Sequence, residues 1–274
     1  MKDNEFSDSV LAWYAKYGRK LPWRETHDPY KIMVSEFMLQ QTQVSRVLPK
    51  YLNFIEKFPT VRDLAKAPQS DVLKLWTGLG YNRRAKFLHE AAKAIVEKHN
   101  AIVPDDEQQL LDLPGFGSYT TNAILAFAYN KPVVVVDTNI KQIYHRVFAL
   151  EEKDIRKKIE QTVPKTKARQ FYNALMDIAS QYYKGKPDLS TYPFKDCAWK
   201  NNKPLPQMKK VKQSQFRDSN RFYRGQILKI LCSGPLEIKK LELFEPKEKY
   251  AAAAKQLEQE QFIQKKGTTY ILKN

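Results

Sequence analysis

Cysteine is almost missing from this chain: only Cys197 and Cys232 occur in 274 residues. Two thiols build no disulfide framework, which points to a reducing, cytosolic setting. No apolar run approaches 18 residues, so no segment is expected to span a membrane. The opening Met-Lys-Asp-Asn-Glu has no apolar stretch behind it, and no signal peptide is expected. Acidic residues are in deficit: 30 Asp and Glu face 47 Lys and Arg, a formal net charge of +17. Such a chain suits a polyanionic partner, nucleic acid first, although a basic surface that serves solubility has the same arithmetic. Hydrophobic residues make up 42% and aromatics 12%, enough for the core of one large domain or two to three small ones.

Strand signals are nearly absent before residue 205, and the β-branched run at 133–136 is only four residues long. Helical spacing dominates instead. Over 5–17, Phe6, Val10, Trp13, Tyr14 and Tyr17 share a face, and Gly18 follows as a stop. Further helices are predicted at 30–41, 43–57 (interrupted at Pro49), 71–76, 84–99, 107–111, 118–128, 138–149 and 170–183. The first 200 residues therefore read as all-α. Residues 205–220 are polar, basic and proline-containing, the composition of a linker. Beyond it come helices at 221–232 and 248–259, a Gly234-Pro235 turn between them, and a hairpin over 262–265 and 269–272 that turns at Lys266-Gly267. Helices closed by a hairpin suggest a small winged-helix module over 221–274.

One carboxylate sits in an unlikely place. In a helix, Glu36 has Ile32, Met33, Leu39 and Gln40 at its i±3 and i±4 positions, and none can pair with a negative charge. Desolvation on such a stripe raises a carboxyl pKa toward that of a proton donor at neutral pH. An ordinary amphipathic helix whose Glu reaches water from the stripe's edge gives the same pattern.

Two turns repeat a Gly-hydrophobic-Gly pattern, Trp76-Thr77-Gly78-Leu79-Gly80-Tyr81 and Leu113-Pro114-Gly115-Phe116-Gly117-Ser118. A short helix precedes each and a longer one follows. Glycine permits the sharp turn, and the next helix offers free N–H groups and its positive dipole end to a phosphate. The second turn has the pattern of a helix-hairpin-helix, which grips a DNA backbone without reading sequence. A second carboxylate, Asp137, follows the 133–136 run and precedes the helix at 138–149. Asp is a preferred N-cap, and a capped Asp is also held rigidly where it can stabilise developing positive charge.

At this point the motifs resemble a family. The hairpin ending in Leu113–Gly117, with Asp137 some twenty residues on, is similar to the HhH-GPD superfamily of base-excision DNA glycosylases. Within it, Leu21-Pro22-Trp23-Arg24, the segment 35–44 (Ser-Glu-Phe-Met-Leu-Gln-Gln-Thr-Gln-Val), the segment 75–81 and Asp137-Thr138-Asn139 look like the MutY-type adenine glycosylases. The likeness covers roughly residues 5–200. It implies a two-lobed helical core over 1–204, with a six-helix barrel lobe at about 25–132 and a second lobe of 1–24 plus 133–204. The linker and a winged-helix-like α+β module complete a mostly α fold.

The resemblance also implies roles. Glu36 would protonate the adenine leaving group, and Asp137 would stabilise the oxocarbenium-like sugar. Tyr119 would position Glu36, and Asn139 would orient the catalytic water. Arg24 would touch the flipped adenine, while Gln41 and Tyr81 would enter the duplex as the base is extruded. DNA contacts are implied at Gln40 and Thr42, at Gly78 and Gly80, and at Leu113, Gly115, Gly117 and Ser118. Plainer readings exist: Tyr81 as a core aromatic, Gln41 as a solvated helix residue, Arg24 as a surface cation. Bifunctional relatives carry a Schiff-base lysine where Tyr119 stands, so no lyase nucleophile is expected. Lys20 and Lys141 lie at family positions that can trap an abasic product, which allows weak lyase activity.

Two departures from the family pattern stand out. Its iron–sulfur cluster is held by four cysteines, and the corresponding stretch here offers Tyr183, Leu189, Tyr192 and Cys197. The cluster is therefore expected to be absent, with no metal or other cofactor, and with Tyr182, Tyr183, Tyr192, Phe194 and Trp199 packed in its place. The larger 8-oxoguanine reader common in the family is also too big for the residues after the linker. The expected activity is a monofunctional glycosylase that removes adenine opposite 8-oxoguanine or guanine from double-stranded DNA. A monomer is expected, in the cytoplasm of a bacterial-type cell or on its nucleoid. The alternatives are a thymine or uracil glycosylase of the same fold, whose relatives generally lack the carboxylate at Glu36, and a non-catalytic DNA-structure binder, which needs neither Glu36 nor Asp137.

Overall fold

The computed structural model describes residues 1–183, 186–207 and 215–274. Its elements run α1 (Asp3–Tyr17), α2 (Pro22–Glu25), α3 (Pro29–Leu39), α4 (Val44–Lys57), α5 (Val61–Lys66), α6 (Gln69–Trp76) and α7 (Arg83–Lys98). Then follow α8 (Glu107–Leu111), α9 (Ser118–Phe127), α10 (Thr138–Phe148), α11 (Glu152–Thr162), α12 (Ala168–Tyr182) and α13 (Asn220–Ser233). The chain closes with β1 (Leu236–Glu237), α14 (Ile238–Leu241), α15 (Lys247–Gln259), β2 (Ile263–Lys266) and β3 (Thr269–Leu272).

The chain forms two compact units that interleave along the sequence. The first is Met1–Glu36, Pro104–Asp112 and Phe116–Lys210. Its core is aromatic: Phe6 stacks on Phe194 at 5.0 Å between ring centroids and meets Tyr144 at 5.3 Å and Phe171 at 6.0 Å. Removing a Phe from water contributes about 2–3 kcal/mol, so this cluster fastens α1 to α10 and α12. Helix α9 is buried from Thr120 through Phe127 and packs on α12. That packing draws 116–132 into the unit of the N-terminus, whereas the family resemblance implies 25–132 together as one lobe. The 133–136 run forms no strand. Its backbone is satisfied by side chains: the Tyr172 hydroxyl accepts from the Val135 N–H at 3.2 Å and donates to the Val133 carbonyl at 2.6 Å.

The second unit is Phe37–Val103, Leu113–Gly115 and Val211–Asn274. Helix α4 runs unbroken through Pro49 rather than being interrupted there. Proline removes one backbone donor, but Val47, Tyr51 and Phe54 bury one face and hold the helix in line. The sequence missed α2, α5 and α11. Helices α2 and α5 have only four and six residues, and α11 shows two buried apolar side chains, Ile155 and Ile159, among charges. The C-terminal elements follow the order helix, strand, helix, helix, hairpin, with antiparallel sheet order β1-β3-β2. Both β1 and α14 had also escaped the sequence. Rather than standing apart, these elements belong to the second unit: α13 packs on α6, and Arg224 forks onto Glu260 at 2.8 and 2.7 Å, whose backbone carbonyl accepts from Lys86 at 2.6 Å. Part of the expected linker, 208–214, lies outside the described residues.

The two glycines of the second turn behave differently. Gly115 has φ +78°, and a Cβ there would lie 2.5 Å from Phe87 Cβ and 3.1 Å from Phe37 Cε1. Gly117 is extended (φ −105°), and a Cβ on it meets nothing within 4 Å. Gly115→Ala is therefore expected to destabilise the protein by on the order of 2 kcal/mol or more, and Gly117→Ala by no more than about 1 kcal/mol. Urea unfolding midpoints check this; equal losses would contradict it.

Candidate active site

Helix α3 buries Ile32, Met33, Val34, Phe37 and Met38, and it carries Glu36 into that surface at 8% exposure. The edge-of-stripe reading fails: this carboxyl does not reach bulk water. Burial pushes its pKa up to about 7, and the nearby Asp137 charge adds to the rise. The Tyr119 hydroxyl, 3.4 Å from Glu36 Oε2, and the Arg24 charge pull the other way. At 3.4 Å the phenol steers the carboxyl more than it ties it down.

Asp137 is the N-cap of α10. Its Oδ1 accepts the Ile140 N–H at 2.7 Å, and its Oδ2 accepts the Asn139 side-chain amide at 2.9 Å. Burial raises this carboxyl as well, so it does not simply keep an ordinary acid's pKa. Backbone donors at Ile140 and Asn139, the Asn139 amide and the Lys141 charge all oppose the rise. Two carboxyl groups in one unit thus differ in surroundings: Glu36 has one weak donor, and Asp137 is held by several. Divergent environments of this kind sort an acid from a stabilising ion. Asn139, expected at the water, is bonded to Asp137.

Arg24 is no loose surface cation. It forks onto Asp177, Nη1 to Oδ2 at 2.7 Å and Nη2 to Oδ1 at 2.8 Å, while the Arg19 backbone and side chain reach the same carboxylate. These donors hold Asp177 below the usual carboxylate range against a desolvation that acts in the opposite direction. Asp177 escaped sequence reading because it lies on the apolar face of α12. Lys20 is exposed, and Lys141 is ion-paired to Glu152.

In the second unit, the two residues expected to enter the duplex share a backbone oddity. Gln41 has φ +54° and Tyr81 has φ +49°, left-handed values that cost a non-glycine residue on the order of 1 kcal/mol or more. Gly78 and Gly80, at φ +94° and +74°, make the neighbouring turn without that cost. Arg84, which the motifs did not flag, organises both segments. Its Nη1 donates to the carbonyls of Phe37, Met38 and Gln40 at 2.6–2.9 Å. Its Nη2 donates to Thr42 Oγ1 and the Gly80 carbonyl, each at 3.0 Å. The cation closes the negative end of α3 and ties the 40–42 segment to the 78–80 turn. The second turn is divided between the units: buried Leu113 and exposed Gly115 fall in the second, Gly117 and Ser118 in the first, both exposed at the start of α9.

The stretch aligned with the family's cluster ligands does not fit a cluster. Of Tyr183, Leu189, Tyr192 and Cys197, only the last offers a thiol. The hydroxyls of Tyr183 and Tyr192 bond each other at 2.8 Å, and Trp199 meets both rings edge-on at 5.6 Å. Arg146 lies over Tyr183 at 4.3 Å and over Trp199 at 5.0 Å. Aromatic stacking and a cation fill the position. Among the described residues, no three or more His, Cys, Asp or Glu side chains gather in a way that would hold a metal ion.

Comparison with known proteins agrees with this geometry. The family model of the HhH-GPD superfamily base excision DNA repair protein matches residues 34–168. An adenine DNA glycosylase of Mycobacterium tuberculosis is 36% identical over 246 residues, covering 86% of this chain and 81% of that protein. The chain belongs to the HhH-GPD superfamily, in its adenine DNA glycosylase branch. Among solved structures, a thermostable thymine-DNA glycosylase matches with TM-score 0.67 at 30% identity, covering 73% of this chain and 97% of that one. A non-covalent endonuclease III–DNA complex, at 17% identity and TM-score 0.63 over 74% of this chain and 98% of that one, shares the HhH-GPD fold.

The raised pKa makes Glu36 a stability liability with a defined sign. Its pKa is about 7 folded against 4.5 in the unfolded reference, so between these values the folded state binds more protons and stability falls as pH rises. Glu36→Gln removes that dependence. From pH 5 to pH 8 the wild type should lose up to about 3 kcal/mol more than the variant. Parallel urea titrations at the two pH values measure it; parallel losses would mean an ordinary carboxyl.

Proposed function

We propose that this protein is a monofunctional adenine DNA glycosylase of base excision repair. It removes adenine opposite 8-oxoguanine or guanine in double-stranded DNA, acting as a monomer on the nucleoid or in the cytoplasm of a bacterial-type cell. The observation that carries the reading is a buried carboxyl with a pKa near 7, next to an N-capping aspartate, in a chain whose relatives are adenine glycosylases. The +17 charge supplies the electrostatic attraction to a polyanion.

The chemistry needs a proton and a charge. With the adenine extruded, protonated Glu36 donates to purine N7, and the C1′–N9 bond breaks with its electron pair leaving on the base. The cationic sugar is stabilised by the Asp137 carboxylate. Water adds to C1′ and returns its proton to Glu36, leaving a free base and an abasic sugar. Tyr119 steers Glu36, and Asn139 fixes the Asp137 carboxylate. Tyr119 stands where a bifunctional enzyme needs an amine, so the backbone stays uncut. Arg24, fixed on Asp177, lies at the adenine as a rigid wall. Gln41 and Tyr81 enter the duplex, and the Gly-hydrophobic-Gly turns hold phosphates. No iron–sulfur cluster takes part, since its ligands are replaced by the aromatic packing around Tyr192.

The likeness to a thymine-DNA glycosylase makes pyrimidine excision the competing reading. A pyrimidine leaving group has no N7 to protonate, and Glu36 would then be a buried acid without a task. Under single-turnover conditions, Glu36→Gln and Asp137→Asn should each slow adenine excision at least about a hundredfold, a loss of roughly 2.7 kcal/mol of barrier reduction. The product should be an abasic strand that breaks only on alkali treatment. Near-wild-type excision by either variant, or excision of thymine opposite guanine in place of adenine, would overturn the assignment.

A further inference from the structure

Tyr81 lies among basic groups drawn from two parts of the chain. Arg84, from α7, places its guanidinium 5.5 Å from the centre of the Tyr81 ring. Arg221, from the first turn of α13 in the C-terminal elements, lies 5.1 Å from the same centre, and its Nη1 donates to the Tyr81 hydroxyl. The ring therefore bridges the 78–80 turn to a segment 140 residues downstream. Its backbone is left-handed at φ +49°, a conformation that persists only where the surroundings hold it.

The C-terminal elements have docking contacts besides Arg221. Arg224 with Glu260, the Lys86 bond to the Glu260 carbonyl, and Gln69 Nε2 donating to the Gln261 carbonyl at 2.9 Å all join the same elements to the helices of this unit. Thr77 Oγ1 and Cys232 Sγ, 3.1 Å apart, add another contact. None of these touches Tyr81. Arg221 differs in reaching past the docking contacts to the tip of the phenol.

We infer that Arg221 is a positioning residue for base extrusion: through the Tyr81 hydroxyl it holds the ring in the pose from which it enters the duplex. This rests on the reading of Tyr81 as a duplex-entering residue. It gives the C-terminal elements a task in the excision cycle besides attachment to DNA. A guanidinium on the phenol oxygen fixes the ring along its long axis, and the Arg84 guanidinium steadies it from the polypeptide side. Preorganising the ring spares part of the ordering that insertion otherwise requires.

The test uses the full chain and single-turnover excision at saturating enzyme on two substrates. One is a duplex with adenine opposite 8-oxoguanine, and the other carries adenine opposite an abasic site, where extrusion has no pairing to break. Tyr81→Phe removes only the hydroxyl and Arg221→Gln only the cation. Each should slow excision from the paired duplex about tenfold, the double variant should be no slower than either, and all should approach wild type on the unpaired substrate. Arg221→Lys should recover part of the rate. Arg224→Gln, which loosens docking without touching Tyr81, should stay near wild type on both.

A wild-type rate for Arg221→Gln, additive losses in the double variant, or an equal loss for Arg224→Gln would overturn the inference. Tyr81→Ala separates the two layers. If it excises normally from the paired duplex, the reading of Tyr81 itself falls. If it is slow while Arg221→Gln is normal, only the role of Arg221 falls.

Discussion

A carboxyl group buried in an apolar helix face is the constraint on which the first unit's chemistry depends. Glu36 is buried on the helix that also buries Ile32, Met33 and Phe37, and it receives one long hydrogen bond from Tyr119. Ionising it there costs free energy that water would otherwise supply, so the proton stays on near neutral pH. The same desolvation acts on Asp137, but backbone N–H groups at the start of α10 and the Asn139 amide favour its charged form. One physical effect, opposed in one case and barely opposed in the other, gives two carboxyl groups different work. The arrangement sacrifices stability for a proton donor, as functional sites commonly do.

The second unit solves a different problem with guanidinium groups. Arg84 gathers carbonyl oxygens from the end of α3, where the helix leaves its last acceptors over, and from the 78–80 turn. Its planar fork allows one side chain to serve both segments, which a lysine could not do. Desolvation lowers its pKa to about 10, still far above neutral, so the charge persists. The strained residues Gln41 and Tyr81 each sit next to a segment that Arg84 anchors.

Much of this is legible in the sequence alone. Helical spacing located most helices of the core to within a residue or two, and Glu36, Asp137 and the two glycine turns were identifiable from local pattern alone. Tyr119 and Glu36, far apart in sequence, were paired only by the family resemblance. Arg84, Asp177 and Arg221 could not be found this way, because each acts through partners distant in sequence. Asp177 looks like a polar break in an apolar helix until Arg19 and Arg24 are seen to converge on it. Short elements were lost for want of signal: β1 has two residues and α5 six. The lobes divide differently from expectation because α9 is nearly all buried, and burial on α12, not chain order, decides its unit.

Catalysis by this site depends on when Glu36 carries its proton. The most direct measurement is the single-turnover rate of adenine excision at saturating enzyme, across about pH 5–9, for the wild type and Tyr119→Phe. A donor with pKa near 7 predicts a rate that is level on the acid side and falls about tenfold per pH unit above the midpoint. Removing the Tyr119 hydroxyl deletes a bond that favours the ionised form, so the midpoint should move upward. A rate that stays level through pH 9, or one that rises with pH, would contradict a protonated Glu36 as the source of catalysis.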